Sequence, residues 1–179
     1  SERFAFFCRA VLEGVKRIGF RPDILHCHDW QAALIPAYLK TLCREDPFFS
    51  RTASVLTVHN AAYQGLFPRA ACRAAGFSEE DFTPERFEYY GQFNTLKAGV
   101  VSADILSAVS PSYAREIQQS PEFGRGLEGL YRHRSRNLFG VLNGLDLEAW
   151  DPRTDPHLVA RFGVEDFERG KAVCRKALM

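Results

Sequence analysis

The chain has 179 residues, 46% hydrophobic and 25% charged, a globular composition with length for one domain and part of a second. A formal net charge of +1 gives no global field to recruit nucleic acid or an anionic membrane, and no apolar run approaches the ~20 residues of a membrane span. Cys8, Cys27, Cys43, Cys72 and Cys174 are odd in number, scattered and without C-x-x-C spacing, which argues against a disulfide framework or a zinc ribbon and for a reducing, cytoplasmic setting.

Ser1-Glu2-Arg3-Phe4 carries no signal-peptide pattern, and the sequence opens inside a helical pattern without an initiator Met, as expected of an internal stretch of a longer protein. Phe4, Phe7, Cys8, Val11, Leu12, Val15 and Ile18 recur at three- and four-residue steps and predict an amphipathic helix, stopped by Gly19 and Pro22. A short buried strand is expected over Asp23–His28, a helix over Trp30–Leu42 and a β-branched strand over Ser54–Val58. Residues 65–92 read as irregular with short helices. A helix over Asn94–Ala103 and a strand over Ile105–Val109 follow, and Pro111 marks a helix start, where its missing N–H costs nothing. Leu127–Arg134 predicts a helix, Phe139–Leu142 a strand, Asn143-Gly144 a turn, and Glu165–Leu178 a charged helix beyond a boundary near residues 150–156.

Short apolar strands alternating with helices predict an α/β fold with a Rossmann-like parallel sheet. Ligands bind such sheets beyond the carboxyl ends of the strands. Each expected strand is followed there by polar or turn-forming residues: His28-Asp29-Trp30, His59-Asn60, Ser110-Pro111 and Asn143-Gly144.

His26-Cys27-His28-Asp29 puts two imidazoles on one strand face, which suits zinc. Trp30 and Gln31 stand where a metal-hydrolase pattern needs Asp and His, so no metal site is expected. Asp29 is left with two readings, an N-cap of the following helix or a polar contact to a ligand. Gly124 to Gly129 matches G-x-G-x-x-G, but Ser120-Pro121-Glu122-Phe123 reads as a loop rather than the strand that a nucleotide fingerprint requires. Arg132, His133, Arg134 and Arg136 form a basic cluster whose plainer reading is a solvated helix end. The strongest local pattern is Val58-His59-Asn60-Ala61-Ala62-Tyr63-Gln64-Gly65: a strand delivers a His and an Asn, then an aromatic and an amide, groups suited to sugar hydroxyls. A capped turn with a core His is the structural alternative. Ser110 and Ser112 lack a nucleophile elbow.

Taken in order, PDILHCHDWQAALIPAYLK, LTVHNAAYQGLFP, FNTLKAGVVSADILSAVSPSYAREI and GVLNGLDLEAWDPRTD make the chain resemble bacterial glycogen synthases and plant starch synthases from about Phe20 to Met179. The resemblance implies a GT-B glycosyltransferase of two Rossmann-like domains. Residues 1–143 would be the later part of the N-terminal, acceptor-side domain, and 144–179 the crossover and first helix of the second. It implies retaining transfer of glucose from ADP-glucose, or UDP-glucose in some members, to the non-reducing end of an α-1,4-glucan. No metal or other cofactor would be needed, and neither nucleic acid nor a membrane would be a partner. The location would be cytoplasmic, or plastidic in a plant.

Carried over by position, His59 matches the active-site histidine beside the donor glucose, and Asp29 and Trp30 match the HDW element on the cleft wall. Asn60, Tyr63, Gln64 and Asn143 match residues shaping the sugar pocket. Position 31 is Gln where many members have His. The family's K-x-G-G-L loop, its Arg/Lys pair and its E-x-x-G-L loop are not in this sequence, so the chain alone is expected to be inactive. A non-catalytic glucan-binding remnant and a transferase of the sucrose synthase type are the rival readings.

Overall fold

The computed structural model describes residues 2–179, divided after Leu142 into two compact units. In the first, α1 (Glu2–Arg17) turns Ala5, Cys8 and Leu12 inward and ends on basic Lys16 and Arg17, which complement its dipole. Then come β1 (Ile24–His28), α2 (Asp29–Ala32), α3 (Leu34–Lys40) and β2 (Ala53–Val58). The single helix expected over Trp30–Leu42 is two, interrupted at Ala33. Pro36 explains the break, since it has no N–H to return to Ala32 and its ring crowds that carbonyl.

The stretch read as irregular contains a second, antiparallel sheet. Its strands are β3 (Leu66–Pro68), β4 (Glu88–Tyr89) and β5 (Gln92–Asn94), in the order β3-β5-β4, with α4 (Ala70–Ala74) between β3 and β4 in sequence. Phe77, Phe87 and Phe93 build its core. Tyr38 stacks on Phe77 at 5.0 Å and donates its hydroxyl to Ala75 O, which fastens this insert to α3.

The chain continues through α5 (Thr95–Ser102), β6 (Ile105–Ala108), α6 (Pro111–Gln119), α7 (Pro121–Gly124), α8 (Glu128–His133) and β7 (Leu138–Gly140). The segment before the glycine-rich stretch is thus a helical turn with Pro121 at its start, not a loop. Strands β1-β2-β6-β7 form one parallel sheet, in register at Ile24↔Ala53, Val55↔Ile105 and Leu106↔Leu138. All four therefore present their carboxyl ends along one edge.

One sheet face is the core. Cys27, Leu56, Val58, Leu106, Ala108 and Leu138 are buried there with Leu34, Ala37, Leu96 and Val100, each large side chain contributing about 1.5–3 kcal/mol. Gly99 lets α5 approach closely, since a Cβ there would lie 2.6 Å from that of Ala33. The other face exposes Ile24, Ile105 and Phe139, so β1, expected as a buried strand, is buried only at Cys27. Burial also pushes the thiols of Cys8 and Cys27 up, to about 11 and about 12, leaving them unreactive.

The amino edge of the sheet is stapled. Asp104 accepts from the N–H and hydroxyl of Ser54 and pairs with Lys40 at 2.6 Å. Arg134 donates to the carbonyls of Val100, Val101, Ala103 and Asp104, satisfying the end of α5. Arg134 is therefore a half-buried brace and not part of a solvated basic end.

The second unit, Asn143–Met179, holds α9 (Phe167–Leu178), against which Phe162 packs at Gly170. Asn143-Gly144 makes no turn and belongs to no regular element. Trp150, Phe162 and Phe167 line a cavity of about 560 Å³ within this unit. Among the described residues no helix is long and apolar enough to cross a membrane.

Candidate active site at the carboxyl ends of the sheet

The parallel register sets the ends of β1 and β2 side by side, with His28 opposite Thr57. His59 follows β2 and is exposed. Its Nε2 lies 3.0 Å from Nδ1 of His28, and its backbone N–H donates to Asp29 Oδ1 at 2.8 Å. Asp29 therefore does not cap α2; its Oδ1 is committed to the residue after β2, and the side chain stays half-exposed. His28 is the residue flanking α2, with no side-chain cap, and the Asp29 carboxylate reaches sideways to the residue that follows β2. Asp29 holds a left-handed backbone, φ 52°, a strained conformation found at sites the surroundings over-determine.

The residues after His59 fold into a tight turn. Asn60 Oδ1 accepts from Ala62 N, an Asx turn, and Asn60 O accepts from Tyr63 N. The Ala61 N–H donates to the hydroxyl of Tyr113 on α6. Tyr63 points its ring outward, 66% exposed. His59, Asn60 and Tyr63 thus offer an imidazole, an amide and a phenol on one rim, beside Asp29 and His28.

Gln64 does not join them. It is buried, its Nε2 donates to Ala61 O and Arg125 O, and its Oε1 accepts from Asn94 Nδ2 at 2.7 Å. That amide is consumed in bracing the turn against the glycine-rich stretch, where Tyr89 also donates to Arg125 O. Trp30 is likewise a packing residue: half-buried, edge-to-face with Phe4 at 4.7 Å, tilted on Phe67 at 5.8 Å, and directly under Gly65. Asn143 belongs to the second unit, where it is exposed and outside any regular element.

The two imidazoles expected on one face of β1 do lie together, and the hydroxyls that hold them, Thr57 and Ser107, were not among the candidate residues. His26 accompanies His28 on the strand, ring centroids 4.3 Å apart, and its Nε2 is 2.7 Å from Thr57 Oγ1, which in turn contacts Ser107 Oγ at 2.6 Å. Period-two spacing gave the histidine pair, and strand register was the only signal for Thr57 and Ser107. No group of three or more His, Cys, Asp or Glu that could hold a metal occurs among the described residues.

Asn94 serves two neighbours at once, capping α5 by accepting from Lys97 N and holding Gln64. Asn94→Ala is expected to cost about 2–3 kcal/mol, from a lost cap and an orphaned buried acceptor. A lower urea midpoint at an unchanged m value would report it. A midpoint equal to the parent's would show that Gln64 finds another partner.

Polar groups gathered at the carboxyl edge of a parallel sheet, around a tight histidine turn, define a ligand-binding Rossmann-like α/β domain. Comparison with known proteins names the family. Residues 1–133 match the starch synthase catalytic domain. The glycogen synthase of Elusimicrobium minutum is 52% identical over 99% of this chain and 37% of its own length. That of Desulforudis audaxviator is 48% identical over 96% of the chain and 34% of its length. Among solved structures, the catalytic domain of starch synthase IV from Arabidopsis thaliana, bound to ADP and acarbose, aligns with a TM-score of 0.77 and 32% identity, over 98% of this chain and 36% of that one. The chain belongs to the starch synthase catalytic domain family and has the α/β fold of part of a GT-B glycosyltransferase. It spans about a third of the length of these relatives.

Proposed function

We propose that the protein containing this chain transfers glucose from ADP-glucose to the non-reducing end of an α-1,4-glucan, with retention. The observation that carries this is the His59–Tyr63 turn: its first backbone N–H is held by Asp29 and its histidine ring by His28. The ADP and acarbose bound to the Arabidopsis relative support a nucleotide donor and a glucan acceptor.

The chemistry asks for such a rim. Glucosyl transfer passes through an oxocarbenium-like state, stabilised by dipoles fixed in advance where charge develops. His59 meets the transferred glucose, and Asn60 offers its amide nitrogen, its oxygen being engaged with Ala62. Tyr63 gives an exposed ring edge for a sugar. Asp29 acts by fixing the His59 backbone, and Gln64 and Trp30 by supporting the turn from below. Residues 144–179 are read as the crossover into the nucleotide-binding domain, with Asn143 at its entry. The chain alone is then inactive. The five free thiols support a reducing, cytoplasmic setting.

Radiolabel transfer into glycogen by the whole protein tests this. Incorporation from ADP-glucose well above that from UDP-glucose is the expected result. Equal use of both would remove the donor assignment, and none from either would remove the activity.

A further inference from the structure

The ring of His28 contacts the His59 ring directly at 3.0 Å, and what that contact does to His59 follows from the chemistry of the two rings. We propose that His28 is the positioning residue of His59: the two rings share one proton between Nδ1 of His28 and Nε2 of His59, which leaves Nδ1 as the only ring nitrogen of His59 able to meet a ligand. The inference rests on the reading of His59 as the group beside the transferred glucose.

Two imidazole nitrogens 3.0 Å apart cannot both carry a hydrogen, and two bare nitrogens would repel. One proton therefore lies between them, and the tautomers of the two rings are tied. When His28 donates, Nδ1 of His59 carries N–H. When His59 donates, its Nδ1 is a bare acceptor. The two arrangements carry the same net charge, one presenting a donor and the other an acceptor to a sugar hydroxyl; passing between them takes a proton from Nδ1 of His59 and returns one to Nε2 of His28.

The rings are held for this. His28 sits between His26, at 4.3 Å, and His59, at 5.3 Å between centroids. His26 is tied through Thr57 to Ser107, so three adjacent strands brace the column. Partial burial and the neighbouring His26 and His59 hold the His28 pKa below its ordinary value against the opposing pull of Asp29, and so favour the neutral ring.

Two substitutions separate the hydrogen bond from the ring. His28→Phe keeps the ring shape and stacking but has no nitrogen. His28→Asn keeps a polar atom near the Nδ1 position. Long-range ¹⁵N–¹H NMR of this chain is expected to show the His59 Nε2 resonance move toward that of a free imidazole in His28→Phe. In the whole protein, kcat for glucosyl transfer is expected to fall about 10-fold in His28→Phe, the scale of losing an orienting partner, with KM within about twofold. His28→Asn is expected to recover most of that loss.

An unmoved His59 resonance in His28→Phe would overturn the contact. A moved resonance with unchanged kcat, or a kcat loss that His28→Asn does not relieve, would overturn the positioning role. A parent protein that transfers no glucose would count against the proposed activity, while the NMR arm still judges the shared proton by itself.

Discussion

His59→Ala is expected to lower kcat for glucosyl transfer by at least ~10²-fold, the scale for losing one contact made in the transition state. It should do so without loosening the fold. The hydrogen bond from position 59 to Asp29 uses the backbone N–H, which alanine keeps, and the imidazole itself is exposed. The turn beyond it is held by Asn60, Tyr113 and Gln64. The urea midpoint should therefore stay near the parent's, since exposed substitutions away from such features change stability by within about 0.5 kcal/mol. KM for donor and glucan should change little, because the contact strengthens as charge develops. Turnover within about threefold of the parent would remove His59 from the chemistry and leave the turn as a structural feature only.

How much of this was legible in the sequence depended on the range of the interactions. The four parallel strands follow from short apolar runs, and the ends of β1 and β2 follow from polar residues just after them. The β3-β5-β4 sheet was missed because strands of two or three residues, such as Glu88-Tyr89, have no periodicity to read. The break at Ala33 had a local signal in Pro36, which the apolar spacing outweighed. Gln64 looked like a ligand amide because an amide beside a histidine turn suits a sugar. Its true partners are Asn94, 30 positions away, and Arg125, 61 positions away, and only the tertiary fold brings them in. His28 was weighed as a metal ligand on its own strand. Its partner lies just past the end of the next one, 31 residues on.

Gly65→Ala is expected to cost both stability, by about 2–5 kcal/mol, and activity. Gly65 has φ 62°, and a side chain in that left-handed region costs roughly 1–2 kcal/mol. Its Cβ would also lie 2.2 Å from Thr95 Oγ1 and 2.5 Å from Cε3 of Trp30, and overpacking of this kind costs about 1–3 kcal/mol. Neither neighbour can yield cheaply. Thr95 Oγ1 sits 3.2–3.4 Å from the carbonyls of Gly65, Gln64 and Trp30, and the indole is wedged between Phe4 and Phe67. The turn itself must then move. Gln64 O and Gly65 O accept from the N–H groups of Leu96 and Thr95, so a moved turn unpins the start of α5 and carries His59 and Asn60 with it. Gly129→Ala is the matched control, since a Cβ there meets nothing within 4 Å and the residue is helical, which makes alanine neutral to stabilising by about 0.5–1 kcal/mol. Urea unfolding of both variants beside glucosyl transfer would separate the cases. A Gly65→Ala protein with the parent's midpoint and rate would mean that the Trp30–Thr95 floor gives way, and that the histidine turn needs no rigid support beneath it.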